Sequence, residues 1–231
     1  MAEGTLPEVL SGAATWTVVH ADCLDVLPTL ADGSVDAVVT DPPYGVGIDL
    51  WDAAVPYETL PGLLRVAAGV VLWFGAGSAI FDAAVAFSST PQRVIVWAPS
   101  FTLSHARADG IAYRWHPIYC WRIPHSHGGP KWDVISTPTE CGNAWKHSCT
   151  KPLSLMEALV GFAPPGDLIL DPFCGSGTTG VAALRLGRRF IGIEREAKWA
   201  ELSRERIRAE ENSTTLQAAR SGQVPMFGDD R

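Results

Sequence analysis

The sequence predicts an α/β fold, a single domain in which helices cover both faces of a mostly parallel sheet. Short apolar β-like runs alternate along the chain with segments of helical composition, which is typical of parallel sheets. Two polar motifs directly follow such runs, at the strand ends where open α/β sheets bind their ligands. With 231 residues and 47% hydrophobic composition, the chain is long enough for one well-packed core.

The first hundred residues contain four predicted strands separated by predicted helices. Apolar runs that stop at Asp, Pro or Gly predict the strands, and prolines suited to a first helical turn help to predict the helices. The predicted strands are 16–20, 36–40, 70–74 and 93–97, and the predicted helices are 25–30, 62–68 and 78–87.

The alternation stops near residue 99 and resumes at Pro152. The segment 99–146 is rich in Trp, His, Pro and Gly and contains one predicted strand, 118–122. Beyond it the sequence predicts a helix from Pro152, strands at 168–170 and 189–193, and helices at 179–186 and about 197–211. We therefore predict one domain over 1–231, with an irregular insertion at 99–146 and a polar tail at 213–231.

Composition and charge restrict the classes of function. A net charge of −7 and a pI near 5.3 argue against a protein that coats nucleic acid, so a nucleic-acid enzyme of this charge needs a local basic or aromatic groove. Gly, Pro, Asp or Arg interrupts each apolar run before it reaches the length of a membrane span. The five cysteines have no disulfide-scaffold spacing, and the N-terminus lacks a signal-peptide pattern. We expect a cytoplasmic protein without membrane association.

The first polar motif of interest is Asp171–Thr179, which lies between a predicted strand and a predicted helix. Gly175 and Gly177 allow a tight turn and a close backbone approach to a ligand. Glu194 ends the next strand, where an acidic residue commonly binds ribose hydroxyls. A tight strand–helix turn without a ligand is the alternative, and the lack of a Gly-Lys-Ser/Thr step argues against a phosphate-binding loop.

The second motif is Asp41-Pro-Pro-Tyr44, which directly follows the strand predicted at 36–40. The amino nitrogen of a nucleobase is a poor nucleophile because its lone pair is delocalised into the ring. A carboxylate from Asp41 and the carbonyl of Pro42 can accept its N–H bonds and free that lone pair, while Tyr44 offers a ring on which an extruded base stacks. A simple Asp-Pro turn after a strand is the alternative.

Together, the two motifs resemble those of the amino-group DNA methyltransferases, which methylate adenine N6 or cytosine N4. Their order in the chain, with Asp41-Pro-Pro-Tyr44 before Asp171–Thr179, is similar to that of the β subgroup of that family. The resemblance covers roughly 16–52 and 147–200 and implies a Rossmann-like S-adenosylmethionine-dependent methyltransferase fold. It implies catalytic roles for Asp41, Pro42, Pro43 and Tyr44. It implies cofactor binding by Asp22, Cys23, Asp41, Lys151, Asp171, Pro172, Phe173, Gly175, Ser176, Gly177, Thr178 and Glu194.

Two of these residues have equally simple structural interpretations. Asp22 stands where the family has an acidic residue that binds the adenine amino group of the cofactor, but it also suits a helix N-cap. The segment 147–152 resembles the family's segment at the methionine end of the cofactor, although residues 148–150 depart from that pattern. Lys151 is therefore expected either to bind the cofactor or to lie solvated at the surface.

The resemblance also implies that the insertion carries target recognition. Basic and aromatic side chains, which suit phosphate contacts and base stacking, are interleaved there. They are His105, Arg107, Arg114, Trp115, His116, Trp121, Arg122, His125, His127, Lys131 and Trp132, with Trp145 beside them. The alternative is a lobe whose tryptophans simply pack on the sheet. The residues Cys120, His125, His127, Cys141, His147 and Cys149 raise a zinc hypothesis, but no Cys-x-x-Cys pair accompanies them, and we predict no metal.

From these observations the sequence predicts a methyltransferase that acts on double-stranded DNA, with S-adenosylmethionine as cofactor and adenine N6 as target. Cytosine N4 is the first alternative, an RNA base the second, and a cofactor-binding scaffold without catalysis the third. A homodimer is expected because members of the subgroup often pair. The tail segment Gln223–Phe227 resembles the peptides with which bacterial proteins dock on the replication sliding clamp, and a tail folded on its own domain is its alternative.

Overall fold

A computed structural model of the protein describes residues 2–45, 54–100, 115–123, 133–138 and 150–212. In these ranges the α-helices are α1 (Leu6–Ser11), α2 (Cys23–Val26), α3 (Leu60–Val66), α4 (Ile80–Ala86), α5 (Leu153–Val160), α6 (Thr178–Arg185) and α7 (Ala197–Glu211). The strands are β1 (Trp16–His20), β2 (Ala37–Thr40), β3 (Val71–Phe74), β4 (Arg93–Trp97), β5 (His116–Trp121), β6 (Val134–Ile135), β7 (Leu168–Asp171) and β8 (Arg189–Glu194).

These strands form one sheet in the order β1-β8-β7-β2-β3-β5-β4-β6. The pairs from β1 to β3 are all parallel, whereas β5 runs antiparallel to both β3 and β4. The two strands that precede the polar motifs, β2 and β7, are direct neighbours, with Ala37 opposite Ile169 and Val38 opposite Leu170. Their carboxyl ends therefore open on the same edge of the sheet.

Helices cover the two faces of the sheet, as strands such as β2, β3 and β7 require because they are buried along their whole length. On one face, α5, α6 and α7 pack on side chains such as Val39, Phe74 and Phe190. On the other face, α1 to α4 pack on side chains such as Val38, Trp73 and Leu170. Because strand side chains alternate, Val38 and Val39 belong to different cores. The predicted α/β architecture is confirmed.

The boundaries of several predicted elements are different in the structure. The helix predicted at 25–30 starts earlier, at Cys23, because Asp22 caps it, and it continues as a short 3-10 helix over Leu27–Thr29. The helices predicted at 62–68, 78–87 and 179–186 are Leu60–Val66, Ile80–Ala86 and Thr178–Arg185. The strand predicted at 118–122 is His116–Trp121, since Arg122 has a φ of 52° and turns the chain away.

One α-helix and one strand among the described elements are not predicted by the sequence analysis. In α1, the carboxylate of Glu8 accepts the backbone N–H of Thr5 at 2.7 Å, and Gly12 ends the helix with a φ of 82°. The strand β6 pairs with β4 and has only two residues. Its apolar run is therefore too short to predict a strand. Both β5 and β6 lie in the segment predicted as an insertion, and they belong to the sheet.

None of the described helices is long and apolar enough to cross a membrane.

Candidate active site

The two motif loops line one cavity of about 460 Å³ at the carboxyl ends of β2 and β7. This volume lies in the range of small-molecule and cofactor pockets, about 300–1,000 Å³. The sequence-predicted residues that line it are Asp22, Cys23, Asp41, Pro42, Pro43, Tyr44, Lys151, Asp171, Pro172, Phe173, Gly175, Ser176, Thr178 and Glu194. The fold thus brings together residues from five separate stretches of the chain.

Gly177 is not part of the cavity lining. Its φ of 81° is a backbone conformation that residues with a side chain rarely adopt. A Cβ at this position would also lie 3.0 Å from the Cα of Ser203 on α7. The residue thus lets the chain turn into α6 while α7 packs closely against it. A glycine is required here by backbone conformation and packing.

Glu194 at the end of β8 supports the backbone of the glycine-rich loop. Its Oε2 accepts the backbone N–H of Gly175 at 2.8 Å, and its Oε1 accepts that of Glu196 at 2.8 Å. Burial raises the pKa of the Glu194 carboxyl above its usual value, and the two backbone donors oppose that rise. A carboxylate has about four acceptor positions, so Glu194 retains acceptor capacity for hydroxyls of a ligand.

Asp171 is buried beneath the loop, with 2% of its surface exposed. Its Oδ1 accepts the hydroxyl of Thr40 at 2.8 Å and the backbone N–H of Phe173 at 3.1 Å. Its Oδ2 accepts the hydroxyl of Thr179 at 2.6 Å. Burial raises its pKa to about 6, against the lowering effect of these donors. The described contacts of the Asp171 carboxylate are with the protein, so it joins the end of β2, the loop and α6.

Asp22 has the helix-capping role, and it also lies where it could reach a ligand in the cavity. Its side chain accepts the backbone N–H of Leu24 at 2.9 Å and so caps α2, and the residue also lines the cavity. Its neighbour Cys23 is buried at the first position of that helix, and burial raises the pKa of its thiol to about 12. The Cys23 thiol is therefore uncharged at neutral pH where it lines the cavity.

Both carboxylate oxygens of Asp41 are engaged by neighbouring side chains. The hydroxyl of Tyr44 donates to Oδ1 at 2.5 Å, and the ammonium of Lys151 donates to Oδ2 at 2.5 Å. The side chain of Asp41 is 21% exposed and that of Lys151 is 10% exposed. Lys151 is therefore not a solvated surface lysine, which was one of the two expectations from the sequence.

An aromatic stack lies behind Tyr44. The ring of His116, at the start of β5, lies 6.2 Å from the ring of Tyr44 and 5.0 Å from that of Trp97, at angles of 32° and 26°. Burial lowers the pKa of His116 to about 4, and the charge of Lys151 adds to the effect. His116 is thus neutral at pH 7, and its described ring contacts are with Tyr44 and Trp97 within the domain.

Two further residues of the predicted insertion also serve the fold. Trp121 is 3% exposed, and its indole N–H donates to the carbonyl of Ser89 at 3.1 Å. The guanidinium of Arg122 donates to the carbonyl of Ala67. The packing alternative is therefore correct for Trp121, and Arg122 is bound to the body of the domain.

The remaining residues of the recognition and zinc hypotheses lie mostly outside the described part of the chain. They are His105, Arg107, Arg114, His125, His127, Lys131, Trp132, Cys141, Trp145, His147 and Cys149, and the tail segment Gln223–Phe227 lies outside it as well. Cys120 is buried in β5, and its thiol donates to the carbonyl of Ile118. Among the residues that the structure does describe, no three His, Cys, Asp or Glu side chains are grouped to hold a metal.

Some lining residues were not identified from the sequence. Trp199 and Met156 contribute apolar surface to the cavity, and the hydroxyl of Thr150 lies 3.5 Å from that of Ser176. Trp199 follows Glu194 by five positions, on the first turn of α7, so its place after the acidic strand end is a signal that could have found it. Met156 lies inside α5, where an apolar residue at helical spacing indicates only a core position.

The sequence of the chain matches a known protein family. The N6_N4_Mtase family, described as DNA methylase, matches residues 35–205, which is well over half of the chain. The chain belongs to this family of DNA methylases.

Individual relatives agree with that assignment. A putative methylase of Escherichia coli K12, YubD, is 27% identical over 219 residues, which cover 87% of this chain and 94% of that protein. The type II methyltransferase M2.LlaDCHI of Lactococcus lactis subsp. cremoris is 27% identical, over 82% of this chain and 88% of its own. The type II methyltransferase M2.DpnII of Streptococcus pneumoniae is 53% identical over 68 residues, and this match spans 25% of that protein.

Solved structures confirm the Rossmann-like methyltransferase fold. The M1.HpyAVI–SAM complex is similar with a TM-score of 0.63 and 24% identity, over 83% of this chain and 99% of the other. The PvuII DNA methyltransferase, which is cytosine-N4-specific, has a TM-score of 0.68 at 15% identity, over 90% of this chain and 91% of the other. At these identities the likeness concerns the fold.

Proposed function

We propose that this protein transfers a methyl group from S-adenosylmethionine to the exocyclic amino group of an adenine, at N6, in double-stranded DNA. The observation that carries the proposal is the placement of Asp41 and the Asp171–Thr179 loop on neighbouring strands, in one cavity. A carboxylate suited to an amino-group target therefore lies next to a loop suited to a nucleoside cofactor. The DNA methylase family of the chain supports the reaction type.

The residues of the cavity fit the proposed cofactor. Glu194 offers acceptor positions for the ribose hydroxyls, Phe173 and Trp199 offer aromatic surface, and Asp22 offers an acceptor for the adenine amino group. Gly175 lines the cavity with a φ of 51°, and because glycine has no Cβ, its backbone can approach a ligand closely. When bound, the sulfonium cofactor supplies an activated methyl group. The chain itself supplies the binding, orientation and acceptor groups.

The geometry of the Asp41 motif fits an amino-group target. The Asp41 carboxylate and the backbone carbonyl of Pro42 are acceptors, and both residues line the cavity. Two acceptors that bind the two N–H bonds of an amino group favour a more tetrahedral nitrogen, whose lone pair would then be available as a nucleophile. The ring of Tyr44 gives the extruded base a stacking surface worth roughly 1–3 kcal/mol. The target has to leave the duplex because its amino group is stacked and paired there.

The choice of adenine rests on the aspartate-led motif and on its position before the cofactor loop, by resemblance to the family. Cytosine N4 is the second candidate, because its amino group needs the same two acceptors and a cytosine-N4-specific enzyme has a similar fold. A homodimer and sliding-clamp docking through Gln223–Phe227 remain predictions from the sequence.

The experiment that tests the proposal is methyl transfer followed by nucleoside analysis. The purified full chain is incubated with S-adenosylmethionine, labelled in the methyl group, and with mixed-sequence duplex DNA. We expect N6-methyldeoxyadenosine with the wild type and none with Asp41→Ala, while Asp41→Ala still binds the cofactor product. Detection of N4-methyldeoxycytidine instead would change the assigned target base from adenine to cytosine and leave the proposed mechanism unchanged. Label in RNA alone, or label that persists in Asp41→Ala, would overturn the proposal.

A further inference from the structure

The ammonium of Lys151 contacts the side chain that carries the proposed chemistry. Its Nζ lies 2.5 Å from Oδ2 of Asp41, and the side chain of Lys151 is 10% exposed. The same Nζ lies 5.1 Å from the centre of the Tyr44 ring and 5.3 Å from that of the Phe74 ring. A lysine in this position is largely desolvated and is held by one carboxylate and two aromatic rings.

The two carboxylate oxygens of Asp41 accept hydrogen bonds from different donors, and binding of a target base would affect these two bonds differently. Tyr44 donates its hydroxyl to Oδ1 and is also the residue whose ring stacks on the base. A target amino group that is stacked on the Tyr44 ring is therefore expected at Oδ1, beside the Tyr44 hydroxyl or in its place. Lys151 donates to Oδ2, and its bond is compatible with a new partner at Oδ1 because a carboxylate has about four acceptor positions.

We propose that Lys151 is a positioning residue that anchors Oδ2 of Asp41, so that Oδ1 faces the target amino group. This role rests on the proposed function and deepens it. Hydrogen bonds to an amino group are directional, and a carboxylate that can rotate about its Cβ–Cγ bond offers a well-aligned acceptor for only part of the time. An anchored carboxylate presents one oxygen in a fixed direction, which is a geometric contribution to rate.

This role differs from the one that the family resemblance implies, in which Lys151 lies at the methionine end of the cofactor. The two roles predict different kinetic effects for Lys151→Met, which keeps the length of the side chain and removes its ammonium. A positioning residue lowers kcat, by about tenfold to a hundredfold, because misplaced reacting groups react slowly. A cofactor ligand instead weakens cofactor binding.

The test compares the full-length wild type with Lys151→Met and Lys151→Arg. The first measurement is the rate of a single turnover on duplex DNA at saturating cofactor, and the second is calorimetric binding of S-adenosylhomocysteine. Lys198→Met is the matched control, because Lys198 also lies over an aromatic ring, 4.8 Å from the centre of Trp199, but is exposed on α7. We expect a slow Lys151→Met with unchanged product binding, a partial recovery in Lys151→Arg, and an unaffected Lys198→Met.

Thermal unfolding supplies a readout that does not depend on activity. Removal of the Lys151 ammonium leaves the Asp41 carboxylate half-buried without its cation, so Lys151→Met should lower Tm. Asp41→Asn removes the charge, and the double variant should recover most of the loss. If the two substitutions lower Tm additively, the contact does not couple the residues and the proposal is wrong.

The remaining outcomes are also decisive. A wild-type rate in Lys151→Met, or a rate loss that is fully explained by weaker binding of S-adenosylhomocysteine, would overturn the positioning role. If Lys151→Met does not fold, Lys151→Gln replaces it in the same measurements. Absence of methyl transfer by the wild type would sink the proposed function, whereas the unfolding measurements would still decide whether Lys151 and Asp41 are coupled.

Discussion

Thr40 donates its side-chain hydroxyl to Oδ1 of Asp171 at 2.8 Å, although 131 residues separate the two in the chain. Thr40 is the last residue of β2 and directly precedes Asp41, and Asp171 is the last residue of β7 and opens the Asp171–Thr179 loop. The bond is buried and joins the ends of two neighbouring strands. It therefore fixes the distance between the residue that would receive the target and the loop that would hold the cofactor.

Thr40→Val should slow methyl transfer and destabilise the fold. Valine retains the shape of threonine and suits a strand, so the hydroxyl is the main loss. Asp171 then loses one of its three donors, which should cost about 1–3 kcal/mol of unfolding free energy. The shift of Asp41 should lower the single-turnover rate by roughly tenfold or more. Chemical denaturation and single-turnover kinetics measure the two effects.

The controls for Thr40→Val are Thr40→Ser, which keeps the hydroxyl, and Thr17→Val, which changes a buried threonine on the edge strand β1. Thr40→Ser should recover most of the rate, and Thr17→Val should leave it unchanged. Equal rates for Thr40→Val and the wild type would show that the bond does not position Asp41.

Asp171 should make the stability of the protein depend on pH between about 4 and 6. Burial raises its pKa from 3.8 to about 6 in the folded protein. The folded state therefore binds a proton more tightly than the unfolded state does. Its contribution to stability is complete below pH 4 and is lost as the pH rises through 6. A shift of this size corresponds to on the order of 3 kcal/mol.

Asp171→Asn isolates that contribution because asparagine does not titrate. We expect the unfolding free energy of the wild type, relative to Asp171→Asn, to fall as the pH is raised from 4 to 7. Urea denaturation at several pH values measures this difference. A difference that is constant over the range, or that increases with pH, would contradict the assignment of a raised pKa to Asp171.

Tyr44→Phe and Tyr44→Ala should have different effects on catalysis. Phenylalanine keeps the stacking ring and removes the hydroxyl that occupies Oδ1 of Asp41, so Tyr44→Phe should retain activity. Alanine removes the ring, and a lost stacking contact of roughly 1–3 kcal/mol should lower kcat/KM by about 5- to 150-fold. Steady-state kinetics on duplex DNA distinguish them. Equal losses in both variants would mean that the hydroxyl itself is needed.

Glu194→Gln should weaken cofactor binding and leave the acceptors of the target site intact. The amide retains one acceptor oxygen, but the negative charge is lost while the backbone donors of Gly175 and Glu196 remain. Hydrogen bonds to a charged group contribute about 1.5–3 kcal/mol, so affinity should fall by about ten- to a hundredfold. Calorimetry with S-adenosylhomocysteine measures it. Glu201→Gln, an exposed residue of α7, is the control and should bind normally.

The sequence predicted seven of the eight described strands and the two motif loops because their signals are local. An apolar run that ends at Asp41 or Asp171 identifies a strand end, whatever the rest of the chain does. The gathering of these ends into one cavity followed from the α/β class, in which ligands bind at the carboxyl ends of parallel strands. The position of Asp41, Tyr44 and Glu194 in the cavity lining was therefore predictable.

The partners of these residues were not predictable, because they depend on strand order. Nothing near Asp171 indicates that Thr40, 131 residues away, would donate to its Oδ1. The same holds for His116, which was grouped with basic residues of the insertion and instead stacks behind Tyr44. Lys151 was assigned by resemblance to the cofactor, and only the fold places its ammonium on Asp41.

Because β2 pairs directly with β7, the relative position of the residues at their ends does not depend on the path of the chain that connects the two strands. The register of Ala37 with Ile169 is set by the ladder of the two strands, not by what connects them. A change elsewhere in the long connection between β2 and β7 therefore need not alter that ladder. The distance between Asp41 and the Asp171–Thr179 loop would then be inherited unchanged by descendants of this protein whose chains differ elsewhere in that connection.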